Sequence, residues 1–364
     1  MIRLDAIPFM WKQLGHSCRN HPTIHKLLQM FNLIIQIVAP SVALLGEAIV
    51  EPEEIVKYCG AELPECDLMY NATHMVNLWN SIATRDTRLL QTDTKRLNLP
   101  SDGVWINYLR CHDDIGWGFN EDKLSSLGFD PFLHKQFLIN FYQGTFKGSF
   151  SIGELYEFHE ATMDARNCGT MASLLGLEKA LINKDLYQEE LALKRIHLLN
   201  AVLMASSGIP LIYSGDEIGT LNNYDYLIDP KKKHDTRWIH RSVFNHDIAA
   251  NRLDSNSIES SIFTHLQSLI SIRKKTPLFA ASIRGQIIDT GNNTVYSFKK
   301  QGETETLICI FNFSENQQFV SPHNFIQNKL IGKYQDIITG KQVVFGEDQI
   351  LLGPYEYMYL HQFK

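Results

Sequence analysis

Short apolar runs alternate with longer segments of helical period along the first 276 residues of the chain. Four runs have the length and composition of buried strands: residues 1–5, 42–45, 104–109 and 208–213. Apolar residues at helical spacing predict helices over residues 27–38, 75–90, 186–207 and 258–275. A fifth, weakly marked strand is expected near residues 58–70. Strands that alternate with helices are typical of parallel βα units.

Beyond about residue 283 the period changes from helical to strand-like. Residues 294–299, 306–311 and 355–360 have the length and composition of short strands. Turn signals such as Gly291-Asn-Asn and Thr339-Gly340 lie between them. This part is therefore expected to form a small antiparallel β-sandwich domain.

These patterns divide the chain into four expected parts. Residues 1–114 carry the first strands and their helices, and residues 182–276 add a last helix–strand–helix unit. Residues 115–181 are rich in Phe, Gly, Asn and His and fit no strand–helix repeat, so we expect an inserted subdomain over an active-site face. Residues 277–364 form the β domain.

Carboxylates follow three successive strands, at Asp5, Glu47 and Asp113. In parallel βα barrels the carboxyl ends of the strands carry the chemistry. Two carboxylates there suit retaining glycosyl transfer, in which one attacks the anomeric carbon and the other protonates the leaving oxygen. Arg3 would keep Asp5 ionised, and His112 could donate to a sugar hydroxyl. Each residue alone fits an ordinary cap or surface role better than a catalytic one, but one acid per successive strand favours a site.

Charge, cysteine spacing and the length of the apolar stretches argue against several classes of protein. A net charge of −6 over 364 residues, without a long basic block, argues against a nucleic-acid partner. Six cysteines without CxxC spacing predict neither a disulfide framework nor a zinc site, and they favour a reducing, cytoplasmic location. No signal peptide is visible, and the apolar stretch 33–46 is too short to span a membrane. We expect no cofactor and no metal.

Longer motifs resemble a known group of enzymes. Arg3-Leu-Asp-Ala6, Gly46-Glu-Ala48, His112-Asp-Asp-Ile-Gly-Trp117 and Tyr213-Ser-Gly-Asp-Glu-Ile218 resemble successive motifs of the α-amylase superfamily of glycoside hydrolases. Within it, the more specific matches resemble amylosucrase and sucrose hydrolase: Phe9-Met-Trp-Lys-Gln-Leu-Gly15, Leu78-Trp-Asn-Ser-Ile-Ala-Thr-Arg85 and Gly219-Thr-Leu-Asn-Asn-Tyr224. This ordered set covers nearly the whole chain.

The resemblance implies roles for the residues at the strand ends. Asp5 would be the nucleophile that forms a glucosyl-enzyme from sucrose, and Glu47 would be the general acid/base. Asp113 would stabilise the transition state, with His112 and Arg3 lining the same subsite. The expected substrates are sucrose and an α-glucan or maltooligosaccharide, with either glucan synthesis or hydrolysis as the outcome.

The resemblance also places three further cations. Arg166 matches an arginine that binds the acceptor, and Lys135 stands where a second would be expected, without the planar fork of arginine. Arg237 matches an arginine that closes the donor pocket by pairing with an aspartate on an early barrel loop. The pair Asp216-Glu217, in contrast, is expected to be structural.

By resemblance the chain begins in the fourth strand of a (β/α)8 barrel, so residues 1–114 would hold strands four to seven. The fold class is then the carboxy-terminal half of a barrel plus the β domain. We expect the isolated chain to be inactive and to need a complementing amino-terminal half. Two alternatives remain open, a non-catalytic remnant and a carbohydrate-binding protein.

Overall fold

A computed structural model describes residues 1–50, 52–60, 62–96, 99, 103–345 and 349–363. Seven strands precede the C-terminal domain: β1 (Ile2–Leu4), β2 (Leu44–Gly46), β3 (Leu68–Tyr70), β4 (Val104–Tyr108), β5 (Glu154–His159), β6 (Asp164–Cys168) and β7 (Ile209–Leu211). The helices are α1 (Thr23–Val38), α2 (Pro52–Ile55), α3 (Ala72–Thr84), α4 (Arg88–Arg96), α5 (Glu121–Ser126), α6 (Pro131–Gln143), α7 (Met171–Leu174), α8 (Leu177–Asn183), α9 (Leu186–Ala205), α10 (His246–Ala250), α11 (Ile258–Lys275) and α12 (Pro322–Gln327).

Five of these strands form one parallel sheet in the order β1-β2-β3-β4-β7. Their order in space follows their order in the chain, as in the wall of a βα barrel. The weakly marked strand is confirmed as β3, which pairs on one side with β2 and on the other with β4. Because all five run in one direction, their carboxyl ends meet at one edge of the sheet.

The predicted helix over residues 75–90 is wrong in one respect, since two helices occupy this stretch. Arg85 ends α3 with a φ of 60°, in the left-handed region. Asp86 then accepts a hydrogen bond from the backbone N–H of Arg88, which satisfies a free donor at the start of α4. One helix therefore ends at Arg85 and the next begins after Asp86, although apolar residues continue at helical spacing.

The inserted segment packs into the same core as the sheet and its helices. Trp79 of α3 is fully buried, and its Nε1 donates to the carbonyl of Leu109 at 2.7 Å. Tyr142 of α6 packs edge-on against that indole, with ring centroids 5.4 Å apart. α9 contributes a nearly continuous buried stretch from Leu198 to Ala205. The hairpin β5–β6 and helices α5–α8 are therefore anchored on the helices behind the sheet.

The C-terminal part is an antiparallel β domain, as predicted. Its strands are β8 (Gln286–Ile287), β9 (Val295–Gln301), β10 (Glu305–Asn312), β11 (Gln318–Val320), β12 (Gly332–Asp336), β13 (Gln342–Phe345), β14 (Ile350–Leu352) and β15 (Tyr357–Phe363). Six strands form a sheet in the order β13-β12-β15-β10-β9-β8, and β11 pairs with β14. Tyr359 links this domain to α9, because its hydroxyl donates to the carbonyl of Ala201 at 2.6 Å.

The parallel sheet has two free edges within the described part of the chain. β1 pairs with β2 alone and β7 with β4 alone. α1 exposes Leu33, Ile37 and Val38, with 50%, 81% and 69% of their surface accessible. Among the described helices, none is long and apolar enough to cross a membrane.

Candidate active site

Arg3 joins the two carboxylates that follow β1 and β2. Its Nη1 lies 2.6 Å from an oxygen of Asp5, and its Nη2 lies 2.6 Å from an oxygen of Glu47. The two acids differ in environment, since 74% of the Asp5 side chain is exposed and 15% of the Glu47 side chain. The guanidinium also lies over Tyr70 at the end of β3, 5.8 Å from the ring centroid. Three strand ends thus converge on Arg3.

The environments of Asp5 and Glu47 push their pKa values in opposite directions. The hydrogen bond from Arg3 lowers the pKa of Asp5, and the neighbouring Glu47 and the charge of His112 lower it further. Burial raises the pKa of Glu47, and this outweighs the opposing hydrogen bond from the Ala6 backbone and the charge of Arg3. Such opposed shifts make Asp5 the acid that ionises more readily and Glu47 the acid that holds its proton longer.

The backbone holds the ends of β1 and β2 close together. Glu47 N–H donates to the carbonyl of Leu4, and Ile7 N–H donates to the carbonyl of Glu47, both at 3.0 Å. Ala6 adopts a φ of 47°, and its N–H donates to the Glu47 carboxylate at 3.2 Å. Gly46 allows this approach, because a Cβ there would come within 2.8 Å of the side chain of Ile7. The loop after each strand is therefore fixed against the other.

Asp113, which follows β4, accepts from a cluster of cations. One of its carboxylate oxygens lies 3.2 Å from Nη1 of Arg237 and 3.1 Å from Nη2 of Arg241. His112 Nε2 lies 3.3 Å from the other oxygen. The structure thus brings three predicted residues together and adds Arg241, which the sequence reasoning missed. A second arginine four residues after Arg237, directly after the same short 3₁₀ turn, was the available signal.

The predicted partner of Arg237 was an aspartate on an early barrel loop, and the structure gives it another. Arg237 Nε and Nη2 each donate to Asp235, both at 2.9 Å. Its guanidinium lies 4.4 Å from the ring centroid of Tyr156 on β5. Asp235 and Tyr156 were both missed. Arg241 also donates to the backbone carbonyl of His112 at 2.6 Å, so the turn over Thr236–His240 holds the loop that presents Asp113.

The two cations expected to bind an acceptor lie on the inserted segment. Arg166 Nη1 on β6 contacts Glu157 at 3.3 Å and Asp114 at 3.5 Å. Lys135 Nζ contacts Asp164 at 2.7 Å. Asp114, another residue missed, is largely buried, and burial raises the pKa of its carboxyl despite the charge of Arg166.

One cleft collects most of these side chains along the carboxyl edge of the sheet. Seven of the eight predicted site residues line it: Arg3, Glu47, His112, Asp113, Lys135, Arg166 and Arg237. Asp5 lies next to the cleft, because it forms an ion pair with the cleft residue Arg3. Tyr70, Tyr108, Trp117 and Phe119 add aromatic walls. Polar groups that converge between aromatic walls are typical of sites for small polar ligands.

Two clusters near the cleft have other chemistry. Cys111, His112 and Asp113 place possible ligand atoms within 4.8 Å of one another. Burial raises the pKa of the Cys111 thiol to about 11, and Asp113 already accepts from two arginines, so this group suits a divalent cation poorly. Arg110 and Asp216 form a buried ion pair at 3.0 Å, in line with the structural role expected for Asp216.

The fold and the cleft together define a class. Carboxylates at the ends of successive parallel strands, set against arginines and aromatic rings, are the arrangement of barrel enzymes that act on sugars. The site roles of individual residues stay predictions. Comparison with known proteins narrows the family.

Known sequences that match are carbohydrate-active enzymes. The family model described as "Amylosucrase, C-terminal domain" matches residues 286–361. Glucosylglycerate phosphorylase of Escherichia coli is 25% identical over 358 residues, 96% of this chain and 59% of that protein. The enzyme of the same name from Spirochaeta thermophila is 23% identical and covers 100% of this chain and 60% of that protein. The chain thus spans about 60% of the length of these relatives.

Solved structures give the same fold. Sucrose 6F-phosphate phosphorylase from Thermoanaerobacter thermosaccharolyticum superposes with a TM-score of 0.65 at 18% identity, over 96% of this chain and 60% of that one. AmyP in complex with maltose superposes with a TM-score of 0.60 at 15% identity, over 93% of this chain and 61% of that one. The fold is that of α-amylase-type barrel enzymes. Together, the comparisons show similarity to members of the α-amylase superfamily and do not single out amylosucrase.

Proposed function

We propose that this chain carries the catalytic residues of a retaining α-glucosyl transferase. The observation that carries the proposal is the pair at the ends of β1 and β2. Arg3 contacts both acids, the pKa of Asp5 is lowered and the pKa of Glu47 is raised. Retaining transfer needs this division between an ionised nucleophile and a protonated acid.

The proposed reaction has two displacements at the anomeric carbon. The Asp5 carboxylate attacks this carbon while Glu47 gives its proton to the departing glycosidic oxygen, so the carbon–oxygen bond of the donor breaks and a glucosyl ester forms. Glu47, now ionised, takes a proton from the acceptor, whose oxygen attacks the same carbon and releases Asp5. Two inversions retain the α configuration. Asp113, held by Arg237 and Arg241, would bind sugar hydroxyls.

We propose sucrose as the donor and a maltooligosaccharide or α-glucan as the acceptor. Water as the acceptor would make the enzyme a hydrolase. A second acceptor is inorganic phosphate, which the names of the matching phosphorylases favour. Arg166 and Lys135, which line the far side of the cleft, would meet any of these acceptors.

We further propose that another polypeptide segment covers the free edges of the sheet. Among the described strands, β1 and β7 each have one unpaired edge, and α1 exposes Leu33, Ile37 and Val38. Free strand edges and exposed apolar surface favour association with further strands and helices. Such a segment would also enclose Asp5, which is largely exposed here.

The test follows the first product by NMR. The chain is supplied with sucrose, alone and co-expressed with any polypeptide encoded directly upstream of Met1, with and without phosphate. We expect fructose release and α-configured glucosyl product only in the co-expressed form. A product of β configuration, or no turnover in either form, would contradict the proposed activity. Turnover by the chain alone would contradict the need for a second segment.

Substitution at the nucleophile gives the matched control. Asp5→Asn should abolish sucrose cleavage, because the neutral amide cannot form the ester. Asp122→Asn changes an exposed carboxylate on α5 in the same way and should leave turnover unchanged. The carbohydrate-binding alternative replaces the enzyme if the wild type binds maltooligosaccharide without turning over sucrose. Binding should then also survive in Asp5→Asn and Glu47→Gln.

A further inference from the structure

A second pocket lies away from the catalytic cleft, where the inserted segment, α9 and the C-terminal domain meet. Among the described residues, none that lines this pocket also lines the cleft. Arg195, Phe150 and Tyr355 are among the buried residues that line it, and Lys179 and Arg85 line it half-buried. Its volume of about 250 Å³ is several times that of a water molecule, about 30 Å³.

Arg195 is the unusual residue of this pocket. It is 2% exposed, and the described residues place no carboxylate in an ion pair with it, although the charge of Glu315 acts on its guanidinium. Nη1 donates to the carbonyl of Leu175, and Nε has no acceptor among the described atoms. The guanidinium stacks 3.7 Å from the ring centroid of Phe150, which offsets part of the cost of burial. Burial lowers the pKa of Arg195. A buried cation with a free donor favours an anionic partner.

The other charged side chains that line the pocket form no ion pair with Arg195 among the described residues. Arg85 is held by Glu315, with contacts of 2.9 and 3.2 Å. Asp185 caps α9 by accepting from the backbone N–H of Gln188. Both carboxylates at the pocket are therefore engaged. Lys179, in contrast, donates to the backbone carbonyl of Ser149 at 2.7 Å and forms no ion pair with a described carboxylate.

We propose that this pocket binds a phosphate group, either free or carried on a small sugar phosphate. The Arg195 guanidinium and Nζ of Lys179 would supply the charged donors, and phosphate offers several acceptor oxygens to such groups. The ligand would touch the inserted segment through Lys179, α9 through Arg195 and the C-terminal domain beside Tyr355. Its binding would therefore stabilise the junction of these three parts. The proposal is independent of the glucosyl-transfer reaction.

The test measures phosphate binding to the full chain by calorimetry and by thermal unfolding at fixed ionic strength. The probes are inorganic phosphate and glucose 6-phosphate, with chloride as the control anion. We expect at least one of the two probes to bind and to raise the melting temperature, and Lys179→Met to weaken that affinity about tenfold. Lys194→Met removes the same charge from an exposed residue of α9 that pairs with Glu190, and it should change nothing.

The two sources of phosphate are separated by affinity. Tighter binding of glucose 6-phosphate assigns the pocket to a sugar phosphate, and equal or weaker binding assigns it to free phosphate. Phosphate that binds in the catalytic cleft would be unaffected by Lys179→Met, so that variant distinguishes the two sites. Absence of binding, or equal affinity in wild type and Lys179→Met, would overturn the proposal.

Discussion

Arg3 offers a sharp quantitative test of the candidate site, because it holds two carboxylates that differ in exposure. Both contacts measure 2.6 Å, but Glu47 is 15% exposed and Asp5 is 74% exposed. A hydrogen bond between charged groups contributes about 1.5–3 kcal/mol to stability where it is shielded, and an exposed ion pair contributes about 1 kcal/mol or less. Arg3→Met should therefore lower the free energy of unfolding by about 2 kcal/mol, mostly through Glu47.

Double-mutant cycles measure how much of this loss of unfolding free energy comes from Glu47 and how much from Asp5. Arg3→Met combined with Glu47→Gln should give a coupling energy of about 1.5 kcal/mol, and Arg3→Met combined with Asp5→Asn about 0.5 kcal/mol or less. Arg3→Lys keeps the charge but lacks the planar fork that reaches both acids, so it should fall between wild type and Arg3→Met. Unfolding in urea at neutral pH measures all of these variants. Equal couplings, or a larger one for Asp5, would refute the assignment of Glu47 as the shielded member of the pair.

Three further outcomes follow from the same geometry. Burial raises the pKa of Glu47, so the folded chain holds this proton more tightly than the unfolded chain. The free energy of unfolding should therefore fall as the pH rises through the folded-state pKa of Glu47. Glu47→Gln should remove this part of the pH dependence. Gly46→Ala should lower the free energy of unfolding by about 1–3 kcal/mol, because its Cβ would lie 2.8 Å from Sδ of Met69, and an unchanged melting temperature would contradict this. Arg241→Met should weaken substrate binding by freeing Asp113 from one of two arginines, visible as a raised KM with turnover retained.

The apolar pattern predicted the elements best where burial is strong and the ends are marked. The helix over residues 258–275 matches α11, because Ser257 caps its start by accepting from the N–H of Ser260 and Pro277 prevents its continuation. β3 was weakly marked because Glu65 and Asp67 interrupt the apolar run directly before Leu68–Tyr70. The break between α3 and α4 was missed because Arg85, not glycine, adopts the left-handed conformation there.

Some residues of the candidate site could likewise be predicted from the sequence, and others could not. Asp5, Glu47 and Asp113 could be found because the carboxyl end of a strand can be read along the chain. Asp235 could not be found, and Arg241 was indicated only by its spacing from Arg237, since a loop more than 120 residues after Asp113 brings both to the site. The pairing of Arg237 with Asp235 is local, but nothing in the spacing distinguishes it from a partner on another loop.

The central claim is that Asp5 forms a covalent bond to the sugar. The most direct measurement treats the co-expressed protein with 5-fluoro-α-glucosyl fluoride, which slows the second displacement, and then locates the adduct by peptide mass spectrometry. The proposed mechanism predicts one fluoroglucosyl group on the peptide that contains Asp5, and its absence in Asp5→Asn. An adduct on Glu47 or Asp113 would contradict the assignment, as would turnover of the reagent by Asp5→Asn at the wild-type rate.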